Sequence, residues 1–183
     1  AAGASDVIVV LVLPDEEGVV LPRVIDRYAD GERTPVDPLS EARIPGTSYN
    51  VLREAYPFSG ASGLAEALVD DAGTAAPSYV VLDAAAFAEL AGAGTLAVEI
   101  PEHMDVFDGK ELYTFREGEQ DIAPDEVAAL FNGADYLDAE PRADVREAIG
   151  VFLQTRLAEE GIGSAETDLS DEDVAAWLGT LGE

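Results

Sequence analysis

The unbroken apolar run Val7-Ile8-Val9-Val10-Leu11-Val12-Leu13 constrains this chain more than any other stretch. A strand without a polar position has no face to offer water, so it belongs at the centre of a sheet covered on both sides. Pro14-Asp15-Glu16-Glu17-Gly18 follows as a turn, and Val19-Val20-Leu21 returns as the second strand of a hairpin. Arg23 then sits just past that strand. A second short apolar run, Tyr79-Val80-Val81-Leu82, opens a compact unit. Asp83 caps the Ala-rich helix Ala84 to Ala91, Phe87 and Leu90 give it an apolar face, and Gly92 and Gly94 stop it. Thr95 to Ile100 then reads as a strand ended by Pro101, which makes the unit a βαβ-like core element.

Between these runs, Tyr28 to Tyr49 is rich in Gly, Pro, Asp, Ser and Arg and reads as a long loop. Val51 to Tyr56 and Ser62 to Ala72 read as two short helices, the second stopped by Gly73, with Pro57 and Ser59-Gly60 between them. Val106 to Phe115 reads as a hairpin around Asp108-Gly109, and Arg116 to Gln120 as another turn. Ala123 to Asn132 is expected to be helical. The longest helix runs from Pro141 to about Glu160, with Val145, Ala148, Ile149, Phe152, Leu153 and Leu157 on one stripe. Gly161 to Ser164 is a linker, and Ser170-Asp171-Glu172-Asp173 caps a terminal amphipathic helix carrying Trp177. The organisation implied is a main domain over 1–160, then a linker and short C-terminal helix over 161–183. The fold class is α/β, three-layer, with a mixed central sheet flanked by helices.

Charge narrows the partners. With 38 acids against 10 bases the net charge is −28, and Lys110 is the only lysine. Such a field repels nucleic acid and anionic lipid, and no basic helix or helix-turn-helix pattern offsets it. The acids are spread along the whole chain, which reads as a composition bias rather than a dedicated cation site. The chain has no cysteine, so disulfides, thiolate metal sites and thiol nucleophiles are excluded. The apolar run near the start is too short to span a bilayer and lacks a signal peptide's basic flank. A strand six residues after Ala1 is what a chain trimmed of an upstream anchor or tag looks like.

Few residues offer chemistry by themselves. His103 is the only histidine and follows Pro101-Glu102 at a strand end, as a solvated loop residue would. Ser59-Gly60-Ala61-Ser62-Gly63 precedes a helix but has neither a P-loop lysine nor the spacing of a dinucleotide fingerprint. Asp6 before the central strand and Arg23 after its neighbour are placed to face each other across the hairpin. An acid and an arginine at one sheet end suit a metal plus a phosphate, and a surface ion pair equally.

From Ser5 to about Leu157 the order of features resembles the LytR–CpsA–Psr family of cell-wall glycopolymer transferases. The resemblance rests on Ser5-Asp6 before the first strand, Val20-Leu21-Pro22-Arg23, Ile44-Pro45-Gly46, Leu52 to Tyr56 with Ser59-Gly60, and Tyr79 to Asp83 with Phe87. Thr95 to Pro101 and Phe115 to Gln120 complete it. It implies an extracytoplasmic protein, held by an N-terminal membrane helix outside this sequence. It also implies a polyprenyl-phosphate-linked glycopolymer or another cell-wall polymer as partner, and Mg²⁺ if the protein is active. The implied site residues are Asp6 for the metal, Arg23, Arg142 and Arg146 for the pyrophosphate, and Tyr79, Phe87 and Leu90 along an apolar lipid pocket.

The sequence also departs from the family pattern. Val24 stands where an aspartate should follow Arg23, with Asp26 two residues on. Gly133-Ala134-Asp135 stands where the family has an Arg-x-Arg pair, and Arg142 and Arg146 are offset in register. Each charge-assisted hydrogen bond denied to a diphosphate weakens its binding by about 1.5–3 kcal/mol. The resemblance therefore implies a degenerate member acting as a binding or accessory module. An active Mg²⁺-dependent transferase is one alternative, and an acidic protein-interaction domain docking through the helix around Trp177 is another.

Overall fold

The computed structural model describes residues 6–44, 46–69, 75–92 and 95–181. Ser5, Pro45, Gly73 and Gly94 lie outside the described residues. The central sheet has five strands: β1 (Asp6–Pro14), β2 (Val20–Ala29), β3 (Glu32–Val36), β4 (Ser78–Leu82) and β9 (Glu166–Thr167), in the order β3-β2-β1-β4-β9. β1 and β4 run parallel while the other pairings are antiparallel, so the sheet is mixed. The apolar run of β1 does what its composition demands. Val7, Val9, Leu11 and Leu13 enter the larger core on one face, and Ile8, Val10 and Val12 enter a smaller core on the other.

Helix α1 (Ala55–Ala67) covers the smaller core through Leu64 and Ala65. It bends at Gly60, whose φ of 71° and ψ of −163° are open essentially only to glycine. The larger face is covered by α2 (Ala84–Ala91), α3 (Val127–Ala134), α4 (Ala139–Glu160) and α5 (Asp171–Leu181). The three-layer architecture expected of the sequence is the one observed. Asp83 caps α2 as its position predicts, accepting from the Ala86 N–H at 2.8 Å.

Four local readings need correction. Arg23 is not past the second strand but inside it, because β2 continues to Ala29 and then turns into β3. Part of the long loop expected after Tyr28 is therefore strand. The βαβ-like unit is also not one sheet: β5 (Leu96–Ile100) leaves the central sheet and pairs with β8 (Gly118–Ile122) as a separate ribbon. Its buried and exposed positions alternate strictly, so it lies on the core with one face in water, unlike the continuously buried β1. Glu119 and Gln120, expected in a turn, sit on β8. The hairpin around Asp108-Gly109 forms as expected from β6 (Met104–Phe107) and β7 (Leu112–Phe115).

The C-terminal segment is tied down twice. β9 pairs with β4, and α5 packs on α4 with Trp177 only 2% exposed. The Trp177 and Tyr28 rings meet edge to face at 5.5 Å. Trp177 therefore faces this chain's own core and does not form a docking surface.

Candidate functional site

The site forms where the first hairpin reaches the end of α3. β1 and β2 pair regularly on both sides of one irregularity, with Leu11 opposite Val24 and Val12 opposite Pro22. Arg23 is thus the extra residue of a β-bulge, a device that re-aims a side chain. Val24 belongs to the larger core, and Arg23 beside it reaches across the same face to Asn132 and Asp135.

Asp135, at the C-terminal end of α3, is the carboxylate that three guanidinium groups surround, two through hydrogen bonds and one as an ion pair. Arg23 Nη1 donates to its Oδ2 at 2.5 Å and Arg53 Nη1 to the same oxygen at 3.2 Å, while Arg146 Nη2 lies 3.7 Å from Oδ1. Arg23 also donates to Asn132 Oδ1 and, at 3.5 Å, to the Pro14 carbonyl. Arg146 donates to Asp37 at 2.6 Å, and Arg142, one turn earlier on α4, donates to the Leu137 carbonyl at 3.1 Å. Four of the ten basic residues in a chain of net charge −28 thus gather in one place.

Burial lowers the Arg23 pKa from its ordinary value, and the Asp135 charge opposes that. Arg146 is lowered in the same way, with Asp37 and Asp135 opposing. The Nε groups of Arg23, Arg142 and Arg146 are buried and meet no acceptor. Beside the cluster opens a cleft of about 350 Å³, whose walls include Asp15, Glu16, Glu17, Arg53, Asp135 and Tyr136.

Of the residues singled out in the sequence, Arg23 and Arg146 come together around Asp135, with Arg142 close by. Arg53 joins them without having been singled out in the sequence. It sits in a single 3-10 turn, Leu52–Glu54, where no periodicity marks it. Asp6 is not part of this site. It lies at the opposite end of β1, about 18 Å away at the rise of a strand. Both its oxygens are taken by Arg27, at 2.9 and 2.7 Å.

Among the described residues no site for a divalent cation is assembled. Asp6 is clamped by Arg27, and Asp15 Oδ1 already accepts from the Glu17 and Val19 N–H groups at 2.9 Å each. Among the described residues no three acidic or imidazole groups converge to hold a metal ion.

The apolar pocket residues do not share a wall either. Phe87 and Leu90 are packed in the larger core, where Phe87 meets the Phe152 ring at 6.3 Å. Tyr79 packs on the other face of the sheet, against the smaller core. His103 is exposed beside Asp105 at 3.2 Å, and Ser59 donates back to the Ala55 carbonyl at 3.0 Å within α1.

A second buried charge cluster ties β2, β3 and α4 together. Asp26, 1% exposed, accepts from Arg33 at 3.1 Å, and Arg33 also donates to Glu147. The Asp26 carboxyl is pushed up from 3.8 to about 6, with burial outweighing the attraction of Arg33. Gly150 makes room for this arrangement: a Cβ there would stand 2.7 Å from both Arg33 Nη1 and Asp26 Oδ2.

Comparison with known proteins finds no matching family model and no matching curated protein sequence. Solved structures do match. A LytR-Csp2A-Psr enzyme from Actinomyces oris superposes with a TM-score of 0.68 at 15% identity, over 98% of this chain and 76% of that one. TagV of B. subtilis gives 0.62 at 13% identity, over 99% and 80%. EF0465 from Enterococcus faecalis, described as a transcriptional regulator, gives 0.62 at 16% identity, over 97% and 73%. At these identities the shared property is the architecture, and the fold of this chain is of the LytR–CpsA–Psr type.

Proposed function

We propose that this chain is an extracytoplasmic cell-envelope module that uses a LytR–CpsA–Psr-type scaffold to bind an anionic envelope polymer, or the lipid-diphosphate end of one, without transferring it. One observation carries this reading. Asp6 and Arg23, which the transfer reaction would need side by side, stand at opposite ends of β1, and each is engaged by a partner of its own. Phosphoryl transfer depends on positioned positive charge more than on covalent chemistry. Here the guanidinium groups are balanced from within by Asp135 and Asp37, and the cleft beside them carries Asp15, Glu16 and Glu17. Such a site tolerates an anionic ligand but supplies little charge neutralisation to a transition state.

The active transferase is supported by one observation of its own. Arg53 adds a fourth guanidinium to a cluster that the sequence alone left thin. A role in transcription, as the description of the E. faecalis protein would imply, is opposed by the net charge of −28. Among the described residues no helix is long and apolar enough to cross a membrane.

The test incubates the protein with a polyprenyl-diphosphate-linked glycopolymer and peptidoglycan, with and without Mg²⁺, and measures polymer bound and polymer transferred. Binding without transfer, unchanged by Mg²⁺, is expected. Transfer that requires Mg²⁺ and is lost in Arg23→Ala would refute the reading.

A further inference from the structure

Several guanidinium groups on one acceptor is how proteins hold a phosphate oxygen, because each planar fork delivers charge and directed N–H groups together. Here Arg23, Arg53 and Arg146 come from a sheet bulge, a 3-10 turn and the middle of a helix, and the carboxylate they surround is the chain's own Asp135. We infer that Asp135 is a built-in occupant of an anion site: its carboxylate stands where a phosphate oxygen of a ligand would be held, and an entering anion must compete with it for the guanidinium groups. The inference rests on the reading of the arginine cluster as the ligand site of an envelope module.

Three features support it beyond the ion pairs. Asp135 caps the C-terminal end of α3, where the helix dipole disfavours a carboxylate, so the arginines rather than the helix hold it. The Nε groups of Arg23 and Arg146, residues 2% and 8% exposed, have no acceptor. A two-oxygen carboxylate leaves donors over in this cluster, and a diphosphate brings more acceptor atoms. Asp135 also lines the cleft while Arg23 lies buried behind it, so the carboxylate stands between an entering anion and the deepest guanidinium.

Inorganic pyrophosphate is the probe, titrated calorimetrically into the wild type, Asp135→Asn and Asp37→Asn at fixed low salt. A full charge removed about 4 Å from an entering phosphate, at a dielectric between those of interior and water, changes affinity by about 30-fold. Asp135→Asn is expected to bind pyrophosphate about 30-fold more tightly than the wild type, and Asp37→Asn by only a few-fold.

Removing one member of a buried pair can unfold a protein. The charge-balanced double variant Arg23→Gln/Asp135→Asn therefore accompanies the set, and it retains Arg53 and Arg146 for the anion. With the cluster's net charge unchanged it is expected to bind about as tightly as the wild type, and a gain as large as that of Asp135→Asn would overturn the inference. Equal affinity of Asp135→Asn and the wild type, or an equal gain in Asp37→Asn, overturns the inference. Absence of the gain while polymer binding persists defeats this inference alone. Mg²⁺-dependent polymer transfer by the wild type defeats the functional reading instead.

Discussion

Asp26→Asn tests whether burial or ion pairing decides the energy of the cluster beneath α4. The Asp26 carboxyl is shielded from water by β2, β3 and α4, and faces Arg33 from β3, with Glu147 from α4 and the Tyr28 hydroxyl near by. Its pKa is raised from 3.8 to about 6 because the loss of water costs the charge more than Arg33 returns. A carboxyl with a raised pKa binds its proton more tightly folded than unfolded. Stability is therefore greatest with the group protonated, falls as pH rises from about 4 to about 6, and is flat above that window. A rise of about two pKa units corresponds to about 3 kcal/mol. Asparagine is the permanently neutral isostere. The variant should match the wild type near pH 3.5 and exceed it by up to about 3 kcal/mol at pH 8. Urea denaturation of both proteins across that range isolates the difference, since every other titration is common to the two. A variant less stable than the wild type by about 2 kcal/mol or more at pH 8 would mean that the pair with Arg33 outweighs burial, and the reasoning would fail.

Other substitutions probe the packing around the same elements. Gly150→Ala places a methyl 2.7 Å from Arg33 Nη1 and Asp26 Oδ2, so the triad must shift. A loss of about 1–3 kcal/mol is expected in chemical denaturation. Trp177→Ala removes the aromatic anchor of α5 and its edge-to-face packing on Tyr28. It should cost about 3–5 kcal/mol, measurable as a drop in thermal midpoint. The wild-type tryptophan fluorescence should be blue-shifted and move red on unfolding. Tyr28→Phe deletes a buried hydroxyl that has no hydrogen-bond partner while keeping the ring. It should change stability by less than about 0.5 kcal/mol or raise it, and a larger loss would reveal a bond that the hydroxyl makes.

The parts of the fold that were legible in the sequence are those where hydrophobicity speaks alone. The β1 run, the apolar stripe of α4 and the capped α2 all formed as their patterns required. The misread parts have polar residues inside regular structure. β2 carries Arg23, Asp26 and Arg27 in a ten-residue strand, and these charges made its second half look like loop. They are tolerated because Asp135, Arg33 and Asp6 answer them from elsewhere in the chain, and such long-range pairs have no local signature. β8 was missed for a different reason. Its ribbon has one face in water, so Glu119 and Asp121 are ordinary strand residues there. At the candidate site Arg23, Arg142 and Arg146 were visible from the sequence. Arg53 and the acceptor role of Asp135 were not, because only the packing of α3 against the hairpin brings them together.

The bulge at Arg23 gives the arginine an unusual kind of independence. Pro22 pairs with Val12 and Val24 with Leu11, so the residues on either side of Arg23 already face consecutive positions of β1. Deleting this single residue would close the bulge into a regular ladder and leave every other side chain of β2 on its present face. Elsewhere in a buried strand a one-residue deletion turns the remainder inside out. At this point of the chain, the loss or gain of a codon adds or removes the deepest positive charge of the site and spares the sheet.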